Sequence, residues 1–182
     1  MLLPPSFIIP LIRKVIGEPR MGCEVGVWNG RTSQSLLKQF TQLHLLMVDR
    51  WAVYSSGNCG IISSKAQNSL EVKHAADTAL MRTAFAEERR TIITGDSGMV
   101  LSFIRDEILD FVFIDADHTR EGVLRDMPWI EKVRPSGLVC GHDYGSRRHR
   151  GVKLAVDEYV TLGCIDLHVD PSFQVWWFQK KA

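Results

Sequence analysis

Two short apolar runs, each ending abruptly in ionisable side chains, limit what this chain can fold into. The first is Asp110-Phe111-Val112-Phe113-Ile114 followed by Asp115, Asp117 and His118. The second is Gly137-Leu138-Val139-Cys140-Gly141 followed by His142, Asp143 and Tyr144. Unbroken apolar runs of this length read as strands buried on both faces, the mark of a parallel sheet. In open parallel sheets, ligands bind beyond the carboxyl ends of the strands. Both runs deliver Asp and His to that edge, and the stretch from Arg120 to Val133 is long enough for one crossover helix between them. Two strand ends equipped in this way point to a reaction centre.

A third run lies upstream. Met21 to Val25 reads as a strand entering a glycine turn at Gly26 and Gly30, and Arg31 to Phe40 then carries Leu36, Leu37 and Phe40 at helical spacing. Glycines at such a turn let the backbone approach a ligand closely and take positive φ. A second buried strand, Leu43 to Val48, runs into Asp49. That acid falls about 20 residues past the turn, where nucleoside-binding folds hold the ribose hydroxyls. The two oxygens of a carboxylate can accept from both donors of a diol. The glycine pattern alone also fits an ordinary strand-to-helix turn; joined to Asp49, it points to a nucleoside.

The remaining elements follow from periodicity. A first helix is expected from about Ile8 to Ile16 within a capping segment, residues 1–20. Ser69 to Glu88 is expected as one helix with Leu70, Ala76, Leu80 and Phe85 facing inward. Arg90 to Thr94 reads as a strand, Met99 to Arg105 as a short helix, and Gly151 to Leu162 as a helix with Val152, Ala155, Val156 and Tyr159 on one face. The Ser- and Gly-rich stretch from Trp51 to Ala66, with Tyr54, Asn58 and Cys59, reads as a loop of the length that binding loops have. The tail, Cys164 to Val169, then Asp170-Pro171-Ser172, then Phe173 to Gln179, reads as a hairpin. Its Trp176-Trp177-Phe178 run is assigned to core packing. The expectation is a single α/β domain over 1–182, a Rossmann-like doubly wound sheet, mostly parallel with one antiparallel strand from the C-terminal hairpin.

Composition sets the class. A chain of 182 residues, 45% hydrophobic, can bury a core without disulfides or a structural metal. Its net charge of +1 gives no broad basic surface, so nucleic acid is not an expected partner. The only dense basic run, Arg147-Arg148-His149-Arg150, is expected as a solvated loop, with attraction of an anionic group on a substrate as the alternative. Cys23, Cys59, Cys140 and Cys164 are scattered, which fits a reducing cytoplasm. The proline-interrupted start lacks the basic region and cleavage site of a signal peptide, and no uncharged stretch can span a bilayer. No membrane partner is therefore expected, and a homo-oligomer is compatible with the sequence.

Together these motifs resemble a known family. Glu24-Val25-Gly26 with Gly30, Asp49-Arg50-Trp51 and Gly95-Asp96-Ser97 are similar to the class I methyltransferases that use S-adenosylmethionine. The run from Phe113 to His118, with Gly141-His142-Asp143-Tyr144 and Gly151 to Asp157, resembles one branch in particular. That branch contains small-molecule O-methyltransferases related to the macrocin and cephalosporin-tailoring enzymes. The resemblance spans Met21 to about Tyr159.

It implies a cofactor set of Glu24, Gly26, Gly30, Asp49, Arg50, Trp51, Asp96, Ser97 and Asp115, with Glu24 near the methionyl end of S-adenosylmethionine. Asp96 and Ser97 stand where adenine contacts are expected, although Asp and Ser also cap helices well. Trp51 either stacks on the adenine or packs in the core. Asp115, His142 and Asp143 correspond to a divalent-cation set, of magnesium or another ion, that would hold and polarise an acceptor oxygen. The characterised tailoring enzymes carry an acid where this chain has His142, and imidazole suits softer ions than magnesium. The alternative is an acceptor pocket without an ion.

His118, three residues past Asp115, is the candidate general base, since imidazole titrates near neutral pH. Asp117 either orients it or caps the following helix. The implied activity is methyl transfer to a hydroxyl of a small molecule or sugar. The rivals are a nicotinamide-dependent oxidoreductase, which the spacing of Gly26 and Gly30 does not favour, and a non-catalytic cofactor-binding subunit.

Overall fold

The computed structural model describes residues 7–52, 69–163 and 165–181. Residues 53–66 of the expected 51–66 loop, with Tyr54, Asn58 and Cys59, lie outside them, as do residues 1–6 and Cys164. Seven strands form one sheet: β1 Met21–Val25, β2 His44–Asp49, β3 Arg90–Thr94, β4 Leu109–Ile114, β5 Val133–Gly141, β6 His168–Asp170 and β7 Val175–Gln179. Their spatial order is β3-β2-β1-β4-β5-β7-β6. β1 to β5 pair in parallel, and β7 runs antiparallel to both β5 and β6. The C-terminal hairpin thus supplies one antiparallel strand, as its sequence implied.

Alternation along the strands builds two cores. Cys23, Val25, Val112, Ile114, Val139, Trp176 and Phe178 face one layer, which is closed by α5 Arg120–Asp126 and α6 Arg150–Gly163. Leu45, Met47, Phe111, Phe113, Leu138 and Cys140 face the other, closed by α1 Ile8–Ile16, α2 Arg31–Gln39 and α3 Ser69–Thr83. This double burial is why the strands read as continuous apolar runs. Complete burial of each such side chain stabilises the fold by about 1.5–3 kcal/mol. The hairpin aromatics obey the same alternation: Trp176 and Phe178 pack on one core, Trp177 against the other.

Three helices differ from their periodicity-based outlines. The 69–88 segment is α3 followed by a 3-10 stretch, Ala84–Arg89. Its buried face is Val72, Ala75, Ala79 and Thr83, whereas Leu70, Leu80 and Phe85 are exposed and Ala76 is half-buried. Small side chains win this face because α3 packs against the glycine turn: a Cβ placed on Gly30 would lie 2.8 Å from Ala79 Cα. The crossover expected from Arg120 to Val133 is α5 and then a 3-10 turn, Met127–Lys132, with Pro128 at its start. Proline removes a backbone donor and clashes with the preceding turn, so a longer helix cannot form there. The short helix expected from Met99 is α4, Ser97–Val100, continued as a 3-10 turn to Phe103.

The sheet places its chemistry at one edge. Strand register brings Val25 beside Val48 and Ile114, Asp49 beside Thr94, and Ile114 beside Gly141. All five parallel strands therefore end together. The order reverses between β1 and β4, and a crevice opens at such a switch point.

At the opposite edge, Asp110 is a structural anchor. Its Oδ2 accepts from the backbone N–H of Arg20 at 2.5 Å and of Met21 at 2.8 Å, and Oδ1 pairs with Arg134 at 2.6 Å. It fixes where β1 starts.

Candidate active site

A cleft with a cavity volume of about 90 Å³ opens at the switch point, lined by Gly26, Asp49, Arg50, Trp51, Asp96, Ser97 and Asp115 among others. Gly26 is required by both conformation and space. Its φ is +96°, and a Cβ there would lie 2.3 Å from the carbonyl oxygen of Asp115. The β1 and β4 ends are thereby held together: Asp115 N–H donates to Val25 O at 2.8 Å, and Gly26 N–H to Val48 O at 2.8 Å.

Asp49 organises the rim. Its Oδ2 accepts from the Trp28 backbone N–H and its Oδ1 from the Trp51 backbone N–H, each at 2.7 Å. Trp28 and Trp51 both have positive φ, +52° and +38°. Bulky residues there cost about 1–3 kcal/mol and persist only where the surroundings over-determine them. The Trp51 indole completes the clamp by donating to the Trp28 carbonyl at 2.7 Å.

At the far end, Asp96 is both cleft wall and helix cap. Its side chain accepts from Gly98 N–H at 3.0 Å and lies 3.7 Å from Arg50. The Ser97 hydroxyl donates to Asp126 Oδ1, while Asp126 Oδ2 is buried with no hydrogen-bond partner among the described residues. Burial pushes the Asp126 carboxyl up to about 6, against the lowering effects of Ser97 and Arg125. Asp126, Asp117 and Arg125 line the cleft although the sequence reading did not place them there. A charged residue on the inward face of α5 was the available signal. Glu24 and Gly30 are not among the lining residues: Glu24 is 2% exposed and accepts from the Ser33 hydroxyl, and Gly30 is the left-handed cap of α2.

Next to the cleft, the ends of β4 and β5 bring Asp115, His142, Asp143 and His118 together. Asp115, His142 and Asp143 each offer one donor atom within 4.8 Å of the others. His142 Nδ1 lies 3.6 Å from Asp143 Oδ1 and 3.9 Å from Asp115 Oδ1. His142 Nε2 is buried, and the ring stacks on Phe7 at 5.4 Å. Asp143 itself has φ +62°, a strained position at the point where the chain leaves β5. The set mixes carboxylate and imidazole donors and fits a divalent cation.

His118 Nε2 bridges the two acids, 3.1 Å from Asp115 Oδ1 and 2.9 Å from Asp143 Oδ2. Burial opposes charge on this ring, but the bonds to Asp115 and Asp143 outweigh it and raise His118 to about 9. Burial likewise opposes charge on Asp143, and the bonds from His118 and His142 reverse this, holding its carboxyl far below the usual range. Asp117 does not orient His118. It accepts from Thr119 N–H at 2.9 Å, and Thr119 caps α5 by accepting from Gly122 N–H at 3.0 Å.

The basic run is also divided. Arg147, Arg148 and Arg150 are exposed, whereas the His149 ring packs on His118 with centroids 4.2 Å apart. His149, expected within a solvated loop, is instead half-buried against the site.

Comparison with known proteins identifies the fold and the family. The O-methyltransferase NovP superposes with a TM-score of 0.71 at 18% identity, over 98% of this chain and 79% of its own. TomG, an O-methyltransferase from Streptomyces achromogenes solved with SAM, gives 0.64 at 15% identity over 97% and 79%. The SAH-bound Podospora anserina methyltransferase PaMTH1 gives 0.66 at 16% identity over 98% and 78%. These likenesses establish the fold. No curated protein matches the sequence significantly. The family profile of the methyltransferase domain matches residues 23–144, about two thirds of the chain, from β1 through the acid and imidazole cluster. That match sets aside the oxidoreductase alternative: the chain belongs to the methyltransferase domain family.

Proposed function

We propose that this methyltransferase uses S-adenosylmethionine to methylate a hydroxyl of a small or medium-sized molecule, assisted by a divalent cation. One observation carries the reading. Asp115 lines the cleft and also belongs to the Asp115–His142–Asp143 donor set, so methyl donor and acceptor oxygen meet at one residue.

The cleft suits a nucleoside sulfonium. Gly26 leaves room for close approach, the two carboxylate oxygens of Asp49 at the cleft wall suit the two donors of a ribose diol, and Asp96 and Ser97 stand at the adenine end. S-adenosylmethionine supplies an already activated methyl group, so the protein contributes mainly positioning. Arg50 and Trp51 wall the nucleoside half. Glu24, buried within β1, acts through Ser33 rather than by lining the cleft.

Asp115, His142 and Asp143 would hold the cation, which supplies positive charge that favours the deprotonated acceptor oxygen and offsets the two carboxylates. His118 accepts the acceptor's proton at Nε2. Its neutral form is the working one, and the two acids control how much of it exists. The likeness to NovP and TomG, both O-methyltransferases, supports oxygen as the acceptor atom.

The test is a screen of hydroxylated acceptors with methyl-labelled S-adenosylmethionine, with and without magnesium or manganese, alongside calorimetry with S-adenosylhomocysteine. Cation-dependent label transfer to oxygen is expected. A protein that binds neither form of the cofactor would refute the proposal, and binding without any transfer would favour a non-catalytic subunit.

A further inference from the structure

We propose that His118, Asp143 and His149 form a second divalent-cation site, adjoining Asp115–His142–Asp143 and sharing the Asp143 carboxylate with it. The three residues each place one donor atom within 4.8 Å of the others. The two oxygens of Asp143 serve different rings. Oδ1 lies 3.6 Å from His142 Nδ1, whereas Oδ2 lies 2.9 Å from His118 Nε2 and 4.0 Å from His149 Nε2.

The placement is built into the fold. α6 starts against the His118 loop: a Cβ on Gly151 would lie 2.5 Å from the His118 carbonyl oxygen. His149 accepts through its carbonyl from Val152 N–H at 3.2 Å. Tyr144, between Asp143 and His149 in sequence, is tied by its N–H to Gln174 O at 2.9 Å and by its hydroxyl to Asp157 at 2.6 Å. The His118 side chain is only 8% exposed and its Nδ1 is buried with no hydrogen-bond partner among the described residues, whereas Nε2 contacts both Asp115 and Asp143.

Two imidazoles and one carboxylate select differently from the neighbouring set. They favour zinc, copper, iron or nickel, whereas two carboxylates with one imidazole lean toward harder ions such as magnesium or manganese. The second site also has a consequence for catalysis, which rests on the assignment of His118 as base. A neutral imidazole has one ring nitrogen free to accept, the other carrying hydrogen. Nε2 cannot hold a cation and receive a proton together, so occupancy by a transition-metal ion switches methyl transfer off.

The test titrates the metal-depleted full chain with Zn²⁺ by calorimetry and with Co²⁺ by visible absorption. The wild type, His149→Phe and His142→Ala are compared. Phenylalanine keeps a ring against His118 and removes the donor; His149→Gln is a second variant, and thermal melts verify that each is folded. Two equivalents of Zn²⁺ are expected in the wild type, with one lost in His149→Phe. His142→Ala should retain the His149-dependent equivalent. Zn²⁺ inhibition of magnesium-supported transfer should weaken at least tenfold in both His149 variants. Wild-type zinc stoichiometry and affinity in the His149 variants would overturn the second site. A protein that binds S-adenosylhomocysteine and responds to magnesium, but shows no His149-dependent zinc, would overturn this inference alone. Failure to bind S-adenosylhomocysteine would overturn the proposed function whatever zinc does.

Discussion

Asp49→Ala tests the organisation of the cleft at its centre. The carboxylate accepts two backbone N–H bonds at 2.7 Å and so holds Trp28 and Trp51 in left-handed conformations. Hydrogen bonds to a charged group contribute about 1.5–3 kcal/mol each, so losing both should cost roughly 3 kcal/mol or more of stability. Relief of strain at the two tryptophans offsets part of this, and about 2–4 kcal/mol is the expected net loss. Loss of the ribose contacts should weaken S-adenosylhomocysteine by about 10- to 150-fold. Asp49→Asn keeps one acceptor but turns an amide donor toward one of the N–H groups, so it should fall between wild type and alanine. Urea unfolding gives the first quantity and calorimetric titration the second. An alanine variant that unfolds at the wild-type midpoint would show that the clamp is not held by this carboxylate. Undiminished affinity would remove Asp49 from the ribose site.

Three further outcomes are expected. Chelation should abolish turnover while leaving S-adenosylhomocysteine binding largely intact; turnover indifferent to chelator and added ions would refute a role for Asp115, His142 and Asp143 as ligands. His118→Ala and His118→Gln should lower kcat by about 100- to 10,000-fold with little effect on cofactor binding. Because Asp115 and Asp143 raise His118 to about 9, the acidic limb of the wild-type pH–rate profile should move to lower pH as cation saturates the acids, and a limb unchanged in the variants would make His118 structural. Asp126→Asn should stabilise the protein at pH 8. The buried carboxyl holds its proton up to about pH 6 against 3.8 when unfolded, so its stabilising contribution is full below about 3.8 and is lost as pH rises through 6. The gain should approach about 3 kcal/mol above pH 6 and vanish in acid, as read from urea midpoints across pH; a gain independent of pH would contradict burial of a charge there.

The sequence by itself determined the sheet and the edge at which its chemistry lies. Strands buried on both faces must be largely apolar, so β1, β2, β4 and β5 were legible as runs, and the residues ending them, Asp49, Asp115, His142 and Asp143, were necessarily at the carboxyl edge. Helix faces were less legible. Leu70, Leu80 and Phe85 suggested an inner face of α3, but that face had to be small to pass the Gly30 turn, a demand made by a neighbour distant in sequence. The same holds for the site. Asp126 meets Ser97, and His149 meets His118, only because α5 and α6 fold back across the strand ends. Nothing in the spacing of a single chain encodes those distances. Asp49 shows both sides: its position marked it for a ribose, and the structure also made it the clamp for two strained tryptophans. Local sequence sets which groups arrive at an edge, and tertiary packing sets which of them touch.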